Sequence, residues 1–295
     1  MGKYYGAVKV HSLKEAIASF HPWIVLRWIW QCKPLHVFLL SMVTTEIKNR
    51  IAYIVLDRAE KRNALNDEMV AALKSAFNQA YASDDCKVIV LKAAGEVFSA
   101  GADLAYLKQL QKNSYEENLA DSSSLAELFS LIYNGPKVVI AAIQGHAIAG
   151  GCGLATVCDF AIADSQAKFG YTEVKIGFIP AIVSYFLLRK IGETKTKELL
   201  LTGKLITAQE AVNIGMINNI SNGDLDSAVN TLCQSLIDQC AQESLKRTKH
   251  LVANLYHLSP KEAMKYTSEM NAEARASADC HKGINAFLSK EKIKW

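Results

Sequence analysis

Residues 137–159 read Lys-Val-Val-Ile-Ala-Ala-Ile-Gln-Gly-His-Ala-Ile-Ala-Gly-Gly-Cys-Gly-Leu-Ala-Thr-Val-Cys-Asp (KVVIAAIQGHAIAGGCGLATVCD). The first seven form a short, nearly uninterrupted apolar run, the pattern of a strand buried on both faces of a parallel sheet. A glycine-bearing loop follows, residues 144–153, with three glycines in four positions at Gly150, Gly151 and Gly153. It leads into a segment predicted to be helical. Glycine lets another molecule lie against the main chain. The start of a helix offers unpaired backbone N–H groups and the positive end of the peptide dipoles. Residues 149–159 hold no acid before Asp159, so the group that moves protons must come from elsewhere.

Upstream the arrangement repeats. Residues 87–92 (KVIVLK) read as a second buried strand, and residues 93–103 (AAGEVFSAGAD) as a second glycine-bearing loop ahead of a helix. Two such loops side by side aim two N–H donors at one oxygen, which makes an oxyanion hole. Further out, VTTEIK (43–48) and IAYIVLD (51–57) read as strands around an Asn49-Arg50 turn. Asn66 is the expected N-cap of a helix through Tyr81, with Met69, Val70, Leu73, Phe77 and Ala80 on its apolar face. Residues 159–163 read as one more strand. Helical patterns dominate after Ser184, over roughly 184–191, 194–202, 207–214, 224–239, 243–257 and 260–290 with a break. The chain reads as one α/β catalytic domain with a helical C-terminal third.

Composition narrows the function. The 295 residues are 50% hydrophobic and 21% charged, which places the chain among globular proteins. The formal charge of +4 is concentrated in residues 1–45, which carry five bases and one acid and leave 28 of each in the rest. A neutral body offers no electrostatic basis for binding nucleic acid. Seven cysteines, an odd number without CxxC spacing, fit reduced thiols in a cytosol-like compartment, and no Cys/His cluster suggests zinc. Residues 22–40 (PWIVLRWIWQCKPLHVFLL) are interrupted by Arg27, Gln31, Lys33, Pro34 and His36 and do not make a membrane span. Residues 1–41 are read as an extension outside the fold, with translation starting at Met42. An organelle-targeting peptide and a membrane-surface anchor are the two alternatives. The expected location is cytoplasmic, or an organelle matrix under the first alternative.

Residues from about 43 to 295 resemble the crotonase superfamily, the enoyl-CoA hydratase/isomerase fold. The motifs that carry the resemblance are RNALN (62–66), FSAGADL (98–104), AAIQGHAIAGGCGLATVCD (141–159), FGYTEVKIGFIP (169–180) and KELLLTGKLITAQEAVNIGMIN (197–218). The resemblance implies an α/β spiral of ββα repeats with a C-terminal helical trimerisation region, within a domain over 42–295. It implies an acyl-CoA thioester substrate, a homotrimer or a hexamer built from two trimers, no metal, and no cofactor beyond the CoA moiety of the substrate. The oxyanion donors it implies are the backbone N–H groups of Ala102 and Gly150.

The resemblance also exposes a missing acid. Hydratases of the family place one glutamate in the glycine-rich stretch and a second twenty residues later, a two-carboxylate division of labour. Here the first position is Gly153, and the second is Glu173. Ala181 stands where the dienoyl-CoA isomerase branch holds a further acid. A lone carboxylate can move a proton between two carbons, as in a Δ3,Δ2-enoyl-CoA isomerase. Hydration would require Glu173 to do both jobs or a substitute, for which Glu116, Glu117, Asp121, Glu127, His146 and Tyr171 are candidates. Double-bond shift, hydration, and a non-catalytic acyl-CoA binder therefore all stand.

For the CoA moiety the resemblance points to Lys61, Arg62 and Ala64, to the Ala102-Asp103-Leu104 segment and Gly150, and to the C-terminal Phe287-x-x-Lys290 pair. In some members that pair reaches the CoA of a neighbouring subunit. The family's lysine after Ala-Gly-Ala-Asp is Ala105 here, with Lys108 as the nearest replacement. Asp103 itself is read as a helix cap rather than a reacting group.

Overall fold

The computed structural model describes residues 42–295, so the reading of residues 1–41 lies outside the described residues. Strands β1 (Val43–Lys48) and β2 (Ile51–Leu56) form the expected hairpin. Asn49 and Arg50 turn it at φ 52° and 65°, the left-handed pair that a two-residue hairpin needs. β3 (Val88–Ala93), β4 (Val138–Ile143), β6 (Phe160–Ala163) and β9 (Asn219–Ile220) then add in parallel, giving a six-stranded sheet in the order β1-β2-β3-β4-β6-β9.

The apolar runs are unbroken because both faces of this sheet are covered. Ala52, Ile54, Leu56, Ile89, Leu91, Val139, Ala141 and Ile143 face one core. The alternate residues Ile51, Val88, Val90, Val138, Ile140, Ala142 and Ile162 face another. Helices α1 (Asp67–Ala82), α2 (Leu104–Leu110), α3 (Tyr115–Asn134), α4 (Gly150–Val157) and α5 (Ala181–Thr202) follow in chain order. Of these, α1, α3, α4 and α5 contribute Met69, Leu73, Phe77, Phe129, Leu154 and Leu187, among others, to the first core. After α6 (Ala208–Asn213), α7 (Leu225–Gln239) covers the opposite face with Val229, Cys233, Leu236 and Ile237. α8 (Gln242–Leu255), α9 (Pro260–Arg275) and α10 (Ala278–Leu288) complete the helical third. Gly192, at φ 74° and ψ 171°, kinks α5 where the sequence pattern breaks. No helix among the described residues is long and apolar enough to cross a membrane.

Periodicity did not find a second, smaller sheet of β5 (Ala147–Ile148), β7 (Lys168–Gly170) and β8 (Ile206–Thr207), because strands of two or three residues carry no periodic signal. It turns the alternation into a spiral. Each turn runs from a strand of the large sheet to an extended segment of the small one, then into a helix: β3, Ser99, α2; β4, β5, α4; β6, β7, α5. This is the repeat that the resemblance implies.

Four buried lysine amines close the carboxyl ends of four helices, where backbone carbonyls lack partners and the dipole is negative. Lys137 Nζ donates to Ala80 O and Ser83 O at the end of α1. Lys249 Nζ donates to Ile132 O in the last turn of α3 and pairs with Asp159 at 2.7 Å. Lys190 Nζ donates to Thr156 O and Cys158 O at the end of α4, at 2.8 and 2.9 Å. Lys87 Nζ donates to Ile237 O and Cys240 O at the end of α7. Burial pulls the Lys87 and Lys190 amines below the ordinary lysine value.

Candidate active site

Parallel pairing sets Ser99 beside Ala147, and Ala147 beside Phe169. From these three neighbours the chain continues in one direction, to Ala102, Gly150 and Glu173. The two amides and the carboxylate that the motifs single out therefore lie just past the carboxyl ends of adjacent parallel segments, where α/β folds place their sites.

The two glycine loops interlock. Leu65 N–H donates to Gly101 O at 2.7 Å, and Asp103 N–H to Leu65 O at 2.8 Å. A Cβ on Gly101, which sits at φ 87°, would stand 2.8 Å from Ala149 Cβ and 3.4 Å from Gly150 N. The close approach requires glycine there, and it sets Ala102 beside Gly150. Neither the Ala102 nor the Gly150 N–H has a hydrogen-bond partner among the described residues. Ala149 enters α4 at φ 49° and ψ −125°, with no side chain capping the helix. A non-glycine residue in such a conformation costs about 1–3 kcal/mol and persists where surroundings hold it. Here Ala149 N–H donates to Gly170 O at 2.8 Å, and Ile148 N–H to Ser99 O at 2.9 Å.

Glu173 opens a 3₁₀ turn, Glu173–Ile176, immediately after β7. Its Oε2 is buried without a hydrogen-bond partner. Burial raises the Glu173 carboxyl above its ordinary value, opposed only by a backbone N–H of its own residue. Its charge reaches Cys152 in α4, whose thiol burial itself pushes up to about 12.

Gly153 has a packing reason for its missing side chain. A Cβ there would meet the Phe129 ring at 2.7 Å and Val183 Cγ2 at 3.5 Å. Phe129, on α3, is fully buried and packs edge-on against Phe186 at 6.1 Å. An aromatic wall stands at the position where the resemblance implies a first glutamate in hydratases. The candidate substitutes are engaged elsewhere or exposed. Glu117 is spent in a capping box with Ser114, Asp121 accepts the Tyr106 hydroxyl, and Glu127 pairs with Lys74 at 3.1 Å. Glu116 is exposed, and so is His146, at the amino end of β5. Tyr171 is fully buried with its hydroxyl 2.6 Å from Thr156 Oγ1.

The loop carrying Lys61, Arg62 and Ala64 joins the site. Ala100 N–H donates to Arg62 O at 3.0 Å and Ser99 Oγ to Asn63 O at 2.8 Å. Lys61 and Arg62 are exposed, Ala64 is buried, and Leu104 is 76% exposed beside Ala102. Asp103 caps α2 through the Ala105 and Tyr106 amides and pairs with Arg58 at 2.8 Å. Burial alone would raise its carboxyl, but those two amides and the Arg58 guanidinium hold it below the ordinary value. Its carboxylate is thus a cap, as expected. Arg58 and Phe129 escaped the sequence reading: no motif flags Arg58, and Phe129 meets Gly153 only through the fold.

Phe287 and Lys290 do not join these residues. Phe287 is 82% exposed, and the chain after it is anchored by Arg50 donating to Trp295 O at 2.7 Å. Arg50 precedes β2, whereas the site loops leave the carboxyl ends of β2, β3 and β4. Six-residue strands separate those two edges by about 20 Å.

Comparison with known proteins points to one family. The family described as Enoyl-CoA hydratase/isomerase matches residues 46–295. A Thermus thermophilus protein named "Putative enoyl-CoA hydratase" is 40% identical over 250 residues, 84% of this chain and 98% of that protein. The crystal structure of an enoyl-CoA hydratase from Shewanella pealeana superposes with a TM-score of 0.83 at 32% identity, covering 87% of this chain and 97% of that one. Human enoyl Coenzyme A hydratase domain-containing protein 3 superposes with a TM-score of 0.80 at 29% identity, covering 86% and 99%.

Proposed function

The chain belongs to the enoyl-CoA hydratase/isomerase family, and from that premise we propose that it shifts the double bond of a 3-enoyl-CoA thioester to the 2-position, with Glu173 as its single general acid/base. The Glu173 carboxylate takes a proton from C2 of the substrate. The electron pair left behind spreads over C2–C4 and the thioester oxygen, where the Ala102 and Gly150 amides receive it. Losing one such donor costs about 2.7–4 kcal/mol of barrier. The protonated carboxyl then returns the proton to C4. No atom is gained or lost, and no metal or second carboxylate is needed.

The observation that carries this reading is the buried, unpartnered Glu173 Oε2, on a segment that follows a strand paired beside those leading to two unpartnered amides. A raised carboxyl pKa strengthens the base, and an oxygen without a hydrogen-bond partner has its lone pairs free for a proton. Phe129 favours the shift over hydration, because an apolar ring at Gly153 leaves no second acid to handle water. Hydration of a 2-enoyl-CoA is the second reading, favoured by the hydratase names of the relatives. Lys61 and Arg62 are proposed to hold the CoA phosphates, Arg62 through its bidentate guanidinium. Phe287 and Lys290 are proposed to serve a neighbouring subunit in a trimer or hexamer.

Thioester conjugation absorbs in the ultraviolet, so two cuvettes decide. A rise with 3-enoyl-CoA supports the shift, and a fall with 2-enoyl-CoA alone replaces it by hydration. No change in either, with CoA thioester still bound, leaves a binding protein.

A further inference from the structure

The oxyanion donor and the acid/base stand on different elements, α4 and the turn after β7, yet they must keep a fixed separation. Two tethers join those elements. At the amino end of α4, Ala149 N–H donates to Gly170 O at 2.8 Å. At its carboxyl end, the Tyr171 hydroxyl lies 2.6 Å from Thr156 Oγ1. Thr156 Oγ1 also lies 2.9 Å from Cys152 O, and the Tyr171 hydroxyl also hydrogen-bonds the Cys152 side chain, so either oxygen can donate in the tyrosine–threonine bond. Tyr171 is fully buried, Thr156 is 3% exposed, and Tyr171 stands two residues before Glu173. Lys190 fixes the same helix end through Thr156 O and Cys158 O.

We propose that Tyr171 is a positioning residue, its hydrogen bond to Thr156 holding Glu173 in register with the Gly150 amide. The inference rests on the reading of Glu173 as the acid/base. Its physical basis is the sensitivity of proton transfer to placement: a displacement of about 1 Å can cost on the order of 100-fold in rate. The bond itself does no chemistry, since burial holds the Tyr171 phenol well above its ordinary pKa.

The test uses the full chain and the thioester that the wild type turns over. Tyr171→Phe keeps the ring and removes one hydroxyl. It should lower kcat at least ~10-fold with KM within about twofold, as misplacement predicts. The acidic limb of its kcat/KM profile should move to lower pH, because a loosened turn lets water reach Glu173. Thr156→Val should repeat the loss, Thr156→Ser should restore most of the activity, and the double variant Tyr171→Phe/Thr156→Val should be no worse than either single one. An unchanged kcat and pH profile in Tyr171→Phe would overturn the inference, as would a loss confined to KM, or strictly additive losses in the double variant. An inactive wild type would remove the underlying reading of Glu173, and the inference with it, which separates the two failures.

Discussion

Helices α1 and α4 are finished alike at one end and differently at the other. Each has its last carbonyls covered by a buried lysine, Lys137 for α1 and Lys190 for α4. At the amino end, α1 is closed: Asn66 accepts the Met69 N–H at 2.9 Å, and Asp67 and Glu68 stand in the first turn. The amino end of α4 has no capping side chain and no first-turn acid, and a strained Ala149 leads into it. The same contrast runs through the buried charges. The lysines are surrounded by acceptors, whereas Glu173 keeps one oxygen buried without a partner. Buried polar groups are normally satisfied, so an unsatisfied carboxylate oxygen and an uncapped helix end on adjoining segments single out this part of the molecule as the candidate ligand site.

The largest effect expected is from Glu173→Gln. Activity on the thioester should fall by about 10²–10⁴-fold, the contribution of a placed general base. Stability should move the other way. The folded-state pKa of Glu173 is raised, so the wild type loses stability as pH rises from the ordinary carboxylate value through the raised one. The glutamine variant is spared that loss. Its melting temperature should exceed that of the wild type near neutral pH, and the gap should close in acid. Equal melting curves at both pH values would dissolve the contrast drawn between the two kinds of buried charge.

Next come the lysines. Lys137→Met and Lys190→Met each strip two buried carbonyls of a donor, and an unmade buried hydrogen bond costs about 1–3 kcal/mol. Urea denaturation should register both losses. Only Lys190→Met should also lower kcat, because α4 carries the proposed oxyanion donor Gly150 and α1 carries no proposed site residue. Equal kinetic damage from the two would erase the distinction between the helices. The smallest effects are at the amino ends. Asn66→Ala should cost about 1 kcal/mol with kcat unchanged. Ala149→Gly should raise stability by about 1 kcal/mol by relieving the positive φ, which thermal melts can resolve.

The local features were legible in the sequence. The Asn49-Arg50 hairpin, the helix capped by Asn66, the buried runs of β3 and β4 and the kink dividing α5 each leave a mark within a few residues, in periodicity or in a capping side chain. The two glycine loops were legible for the same reason, since a backbone donor is fixed by its own turn, whereas Glu173 was singled out by its place in the motifs that carry the resemblance. The short strands of the second sheet were not, because two or three residues define no period. Nor was the opposition of the C-terminal Phe287-x-x-Lys290 segment to the site, which depends on where Arg50 anchors the chain end.

The sequence by itself determined which backbone could become an oxyanion hole, which carboxylate keeps the family's register, and that a second acid is missing. Only the tertiary structure decided what fills that gap and which contacts tie the segment before the remaining acid to α4. Phe129 meets Gly153 from another helix, and Tyr171 reaches across to Thr156. Both contacts exist because close packing leaves each buried volume to one side chain, and the side chain that takes it need not be near in the chain.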